Sequence, residues 1–286
     1  MRKIAIANNK GGVSKTTSAY NLGSFFARKG FKVLMVDCDP QGNLSDALGI
    51  NSIGVDKTLF EVLRTGHSKD SLVTLPQYEN FSLIVSNLET EEANMALSGK
   101  QAREFLLLNA LEEIEDEFDI CVIDTSPTLS LLTLNALVAS DSIYIPLIAG
   151  FFELKGLGVL TNAIDAIRRS LKIIDIKGIF LTQVEKRQNF TKESSELLAE
   201  QFESKFLNTW IRKNADLKKA AAEGQDIFMY NINSNGAKDY EALRLEILER
   251  EGFNENVYPE KEITDKIEFI GVLTGQLKRY VEKIKF

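Results

Sequence analysis

The stretch Lys3–Tyr20, KIAIANNKGGVSKTTSAY, constrains this chain more than any other. Ile4, Ile6 and Ala7 make an apolar run of strand length, Asn8–Ser14 supply a loop with two adjacent glycines, and Lys15–Arg28 predict a helix. That order suits phosphate. Gly11 and Gly12 let the backbone turn tightly and bring its N–H groups against an anion. The helix that follows presents unsatisfied N–H groups and the positive end of its dipole. Lys15 can reach the β- and γ-phosphates of a nucleotide, and the Thr16 hydroxyl can ligate Mg²⁺. A strand–turn–helix whose glycines serve packing alone would need neither the second lysine, Lys10, nor the paired Thr16 and Thr17.

The common phosphate-loop pattern, G-x-x-x-x-G-K-[ST], is not met, because Asn9 and Ser14 stand where its glycines belong. The stretch fits the deviant form K-G-G-x-x-K-[ST]-[ST], and in this it resembles the ParA/MinD family of ATPases. The resemblance implies ATP and Mg²⁺ as ligands, with Lys10, Gly11, Gly12, Val13, Ser14, Lys15, Thr16 and Thr17 around the nucleotide. It also implies an ATP-sandwiched homodimer in which Lys10 reaches across to the other nucleotide.

Phe31–Asp37 is a continuous apolar run ending in an acid, as in a buried parallel strand. It leads into DCDPQGN, residues 37–43, whose acids would face the same crevice as the phosphate loop. A polar turn built on Pro40 and Gly42 would look the same in isolation. The string nevertheless resembles the second nucleotide motif of ParA proteins, which implies that Asp39 positions the attacking water near Mg²⁺. The implied catalytic set is therefore Lys10, Lys15 and Asp39. Residues 119–127, DICVIDTSP, place four apolar residues before an acid, the Walker B pattern. Asp124 is expected to hold Mg²⁺, partly through water, beside Thr16 and Asp39. The run 133–157 also resembles ParA proteins in register, and Gln183 falls near the place where the family contacts adenine.

Between these motifs the pattern predicts helices over Thr58–Arg64, Glu89–Leu97, Leu131–Ala139 and Phe152–Leu171. Strands are predicted over Phe81–Val85, Ser142–Ile148 and Lys177–Val184. Gln101–Phe118 reads as one amphipathic helix with Phe105, Leu108, Leu111 and Ile114 on its apolar face. The alternation indicates an α/β fold of the P-loop NTPase type: a doubly wound, mostly parallel sheet flanked by helices, with the site at the strands' C-terminal ends. Residues 1–250 are read as the ATPase domain. Residues 251–286 form a C-terminal helical extension, an acidic loop and a helix, Thr264–Lys285, packed on the domain. Lys278, Arg279, Lys283 and Lys285 resemble the membrane tail of MinD, so a MinD-like membrane-cycling protein is the alternative reading. The apolar stripe from Ile267 to Ile284 begins well before those cations, which favours packing, and no membrane partner is expected.

A formal net charge of −7 excludes a globally basic nucleic-acid binder. Any DNA contact must be local, and Lys205, Arg212, Lys213, Lys218 and Lys219 make one cluster against a single acid, Asp216. Two DNA-binding arginines of chromosomal relatives are replaced here by Asp216 and Asn235, so DNA binding cannot be carried over from them. Cys38 and Cys121 lie in apolar strand-like runs, as buried reduced thiols of a cytoplasmic protein would. The single histidine, His67, sits in a polar loop and reads as solvated. The start reads as a strand, and no apolar run reaches membrane-spanning length. The resemblance implies a Mg²⁺-dependent ATPase of plasmid or chromosome partitioning. It would bind DNA non-specifically as the ATP dimer, associate with the nucleoid in that state, and be released when a centromere-binding, ParB-type activator stimulates hydrolysis.

Overall fold

In the computed structural model, residues 1–253 are described, apart from Pro76, Glu79, Gly150, Ile173 and 186–188. The expected helix Thr264–Lys285 and its basic turns lie outside the described residues. The first half runs β1 (Arg2–Ile6), α1 (Lys15–Arg28), β2 (Val33–Cys38), α2 (Asn43–Ala47), α3 (Leu59–Thr65), β3 (Leu72–Thr74), β4 (Phe81–Ile84), α4 (Ala93–Ala96), α5 (Leu106–Glu112) and β5 (Ile120–Thr125). It continues with α6 (Leu131–Ala139), β6 (Ser142–Ile148), α7 (Phe151–Ser170), β7 (Asp175–Thr182), α8 (Asn189–Phe202), α9 (Ala215–Ala222), α10 (Ile227–Asn231) and α11 (Asn235–Glu251).

The sheet order is β3-β4-β2-β5-β1-β6-β7, and every pairing is parallel except β3 with β4. Central strands such as β2 and β5 are buried along their whole length, which is why they read as unbroken apolar runs. The pleat sends alternate residues to opposite faces. Ile4 and Ile6 join Met35 and Val122 in one core with Tyr20 and Phe26 of α1 and Tyr240 and Leu243 of α11. Ala5 joins Val36 and Ile123 in the other, against α3, α5, α6 and α7 through residues such as Leu63, Leu111, Leu132 and Leu160. β1 sits between β5 and β6, so the chain leaves it in one direction toward β2 and β5 leaves in the other toward β6. The crevice opens at such a switch point.

Beyond β7, residues 206–212 run alongside as an irregular extra strand. Leu207 N–H donates to Ile179 O at 2.8 Å and Ile211 N–H to Leu181 O at 2.8 Å, so the edge is covered. Cys38 and Cys121 are free and buried, and burial pushes both thiols up. His67 is exposed beside Glu113. Among the described residues no helix is long and apolar enough to cross a membrane.

Two local expectations are corrected, and one short strand is added. Gln101–Phe118 is not one helix: a 3₁₀ turn at Arg103–Phe105 and another at Glu115–Glu117 flank the short α5. The cause is Asn135 of α6, whose side chain accepts from Leu107 N–H at 3.0 Å and donates to Arg103 O at 2.9 Å, anchoring the chain where α5 begins. The deeply buried residues are consequently Leu107, Ala110, Leu111 and Ile114. Glu89–Leu97 splits into a 3₁₀ turn, Leu88–Glu92, capped by Asn87 and Thr90, and the single turn α4. The antiparallel β3, too short for a periodic signal, was not foreseen.

Candidate nucleotide-binding site

The loop after β1 is held from several sides. Asn8 Nδ2 donates to Pro146 O at 2.8 Å, and Asn8 Oδ1 accepts from Lys10 N–H at 3.0 Å. From β7, Thr182 Oγ1 donates to Val13 O at 3.1 Å. Gln183 Nε2 donates to Gly12 O at 2.6 Å and to Ser14 Oγ at 3.2 Å. Gly12 takes φ 76°, which glycine allows freely. Ser14 at φ 68° and Gln183 at φ 54° sit in the same left-handed region, where a side chain costs roughly 1–2 kcal/mol. Strain of this kind persists where surrounding bonds enforce it, and both residues are inside that bonded frame. An added Cβ at Gly11 or Gly12 would meet nothing within 4 Å, so the glycines border open space rather than packed neighbours.

Three acids converge on the loop from the ends of β2 and β5. Asp124 is fully buried, its Oδ1 accepts from Thr125 N–H at 3.0 Å, and its Oδ2 has no hydrogen-bond partner. Burial pushes this carboxyl well above the usual range, opposed by the Thr16 hydroxyl and by Lys15. Asp37 is raised to about 7, chiefly by burial and against the opposing hydrogen bonds from Ser45 and Asp39 N–H. Asp39 accepts from Gln41 N–H at 3.0 Å. Lys15 is 7% exposed, and its Nζ donates to Lys10 O at 2.9 Å. Burial lowers its pKa although Asp124 and Asp39 pull the other way.

A cleft of about 780 Å³ gathers Gly11, Gly12, Ser14, Lys15, Thr16, Thr17, Asp39 and Gln183 with Gln41, Ser126, Thr128 and Lys218. Val13 is buried beneath the loop, Lys10 is half-buried on its flank, and Asp124 lies behind Thr16 and Lys15. Three of the five cations expected to form a DNA patch are paired with acids. Arg212 forks onto Asp239, with Nη2 to Oδ1 at 2.6 Å, Lys213 pairs with Glu185 at 2.5 Å, and Lys205 pairs with Asp175 at 3.2 Å. Lys218 stands in the cleft wall, and Lys219 is exposed. The local excess of positive charge counted along the chain omits these three acids, which the fold brings from elsewhere.

A family model described as an AAA domain matches residues 1–176. The sporulation initiation inhibitor protein Soj of Bacillus subtilis is 36% identical over 245 residues, spanning 85% of this chain and 97% of that protein. The chain belongs to the ParA family of partition ATPases. The chromosome-partitioning ATPase Soj of Treponema pallidum is likewise 36% identical over 253 residues, 88% of this chain and 98% of that one. Among solved structures, a cobyrinic acid a,c-diamide synthase from Mycobacterium smegmatis with bound ATP analog and magnesium superposes with a TM-score of 0.76. It is 27% identical and covers 92% of this chain and 100% of that one. This ParA-family chain is thus an ATPase.

The residues present suit both ligands. Carboxylate and hydroxyl oxygens are the donors that Mg²⁺ prefers, and it retains several waters. Asp124 Oδ2 is buried without a hydrogen-bond partner and has the Thr16 hydroxyl beside it, so the pair would supply two oxygen ligands to Mg²⁺. The cleft also contains residues that motif reading passed over. Ser126 and Thr128 follow Asp124 directly and could have been noted from that adjacency, whereas Lys218 carried no local signal for this role.

Proposed function

We propose that this ATPase is a switch for DNA partitioning, in which two copies close over two ATP molecules. The observation that carries the reading is the convergence of the Gly11–Thr17 loop, Asp39 and Asp124 at the C-terminal ends of three adjacent strands. Lys15 binds the β- and γ-phosphates, and the backbone N–H groups of the loop cradle them. Thr16 and Asp124 would hold Mg²⁺, which neutralises charge on the phosphates when bound. Asp39 accepts a hydrogen bond from the attacking water and aligns it with the γ-phosphate. Lys10 supplies positive charge across the dimer interface, as an arginine finger does, and a ParB-type activator stimulates turnover through that arrangement.

The ATP-bound dimer would bind DNA without sequence preference. Of Lys205, Arg212, Lys213, Lys218 and Lys219, Lys219 alone is neither ion-paired with a described acid nor in the cleft, so the electrostatic footprint is small. Equilibrium sedimentation with ATP, with ADP and without nucleotide tests the reading. A dimer only with ATP, and DNA binding only by that dimer with log K falling by roughly 0.9 per contact against log[salt], is the expected result. Lys10→Ala should then bind ATP as a monomer and lose stimulated turnover, where a finger of this kind is worth roughly 10³–10⁵. A chain that stays monomeric with ATP, or a Lys10→Ala protein that keeps stimulated activity, overturns the switch.

A further inference from the structure

Helix α9 is held in a fixed rotation. Asn214 caps it by accepting from Asp216 N–H at 2.8 Å, and Asp216 Oδ2 accepts from Asn231 Nδ2 at 3.1 Å. Leu217 turns inward over Gly236, where a Cβ would lie 3.0 Å from Leu217 Cγ. Successive residues of a helix point roughly 100° apart. With Leu217 fixed on the inner side, Lys218 emerges into the wall of the nucleotide cleft and Lys219 continues round to solvent.

The cleft has two distinguishable ends. Asp39 and Asp124 lie at the ends of β2 and β5, on one side of the phosphate loop. On the other side come β6, β7 and Gln183, and then the segment in which Lys213 N–H donates to Val184 O at 3.1 Å, just before α9 begins. A nucleotide whose γ-phosphate faces the acids therefore extends its nucleoside toward Gln183 and α9. Lys205, Arg212 and Lys213 each have a carboxylate partner, whereas no acid among the described residues pairs with Lys218. A lysine ammonium offers three donors and no acceptor, so its partner must be an anion or a lone pair.

We propose that Lys218 is a nucleotide-binding residue rather than a DNA contact, holding the part of the nucleotide that ATP and ADP share: the α-phosphate, the ribose or the acceptors of the base. This rests on the nucleotide reading of the cleft. Because the contact lies away from the γ-phosphate, it strengthens both nucleotides alike and leaves their ratio unchanged. It also gives α9, and through Leu217 the start of α11, a direct link to occupancy of the site.

Calorimetric titration of the full chain with AMPPNP and with ADP, both with Mg²⁺, decides the matter. Lys218→Gln should weaken the two nucleotides by one common factor, roughly three- to tenfold, as expected for an exposed charged hydrogen bond. Lys218→Arg should retain affinity, and Lys238→Gln, at an exposed site on α11, should change nothing. The thermal midpoint without nucleotide should match wild type in all three, since none is buried. Wild-type affinity for both ligands in Lys218→Gln overturns the proposal, as does a loss confined to AMPPNP, which would place the ammonium at the γ-phosphate. If wild type itself binds neither nucleotide, the reading of the cleft fails, and this inference with it.

Discussion

Lys15 offers a test in which ligand binding and folding should respond separately. Its side chain is buried at 7% exposure, and its pKa is lowered because lost hydration outweighs the attraction of Asp124 and Asp39. In the ligand-free protein the charge thus costs more than those carboxylates return. Lys15→Met keeps the aliphatic stem and removes the ammonium, so the thermal midpoint without nucleotide should stay level or rise slightly. A bound triphosphate reverses that balance, because its oxygens face the ammonium directly. Each charge-assisted hydrogen bond is worth about 1.5–3 kcal/mol, so losing two costs about 3–6 kcal/mol, or roughly 10²–10⁴ in Kd. Calorimetric titration with AMPPNP reads the affinity, and differential scanning reads the fold. Affinity within a few-fold of wild type would refute the phosphate assignment. A large fall in midpoint would refute the argument that the charge is a net burden in the free protein.

Asp39→Ala should keep ATP affinity while hydrolysis slows sharply and dimer accumulates; loss of binding with turnover retained would place Asp39 in binding instead. Arg212→Ala should lower stability by about 1–3 kcal/mol in urea unfolding, because Asp239 is left nearly buried without its fork, discounted for an Arg212 side chain that is 28% exposed. An unchanged unfolding midpoint would return Arg212 to the surface patch. Asp37 should also contribute stability to the ligand-free protein that is lost as pH rises from about 4 to about 7. Over that window native Asp37, raised by burial to about 7, holds a proton that the unfolded chain has released, so folding is favoured at the acidic end. Urea midpoints at about pH 6 and about pH 8 check the sign, and a higher midpoint at the alkaline end would contradict it.

What could be read along the chain was whatever its neighbours in sequence determine. The Gly11–Thr17 loop, the apolar runs of β1, β2 and β5, and the acids that end two of them are contiguous, and their chemistry follows from strand–turn–helix order alone. The doubly wound fold follows from the same alternation. Other features required the chain to close on itself. Arg212 meets Asp239 across 27 positions and Lys213 meets Glu185 across 28, so a cluster that looks basic in sequence is largely neutralised in space. Asn135 reaches Leu107 across 28 positions and starts a helix that periodicity alone would extend. Gln183 lies 171 residues from the Gly12 carbonyl to which it donates, and its left-handed backbone sits within that long-range bonded frame. Lys218 owes its direction to Leu217 packing over Gly236. Periodicity identifies which side of a helix is apolar, but the rotation that turns a charged neighbour toward a ligand is determined by the residues packed beneath it.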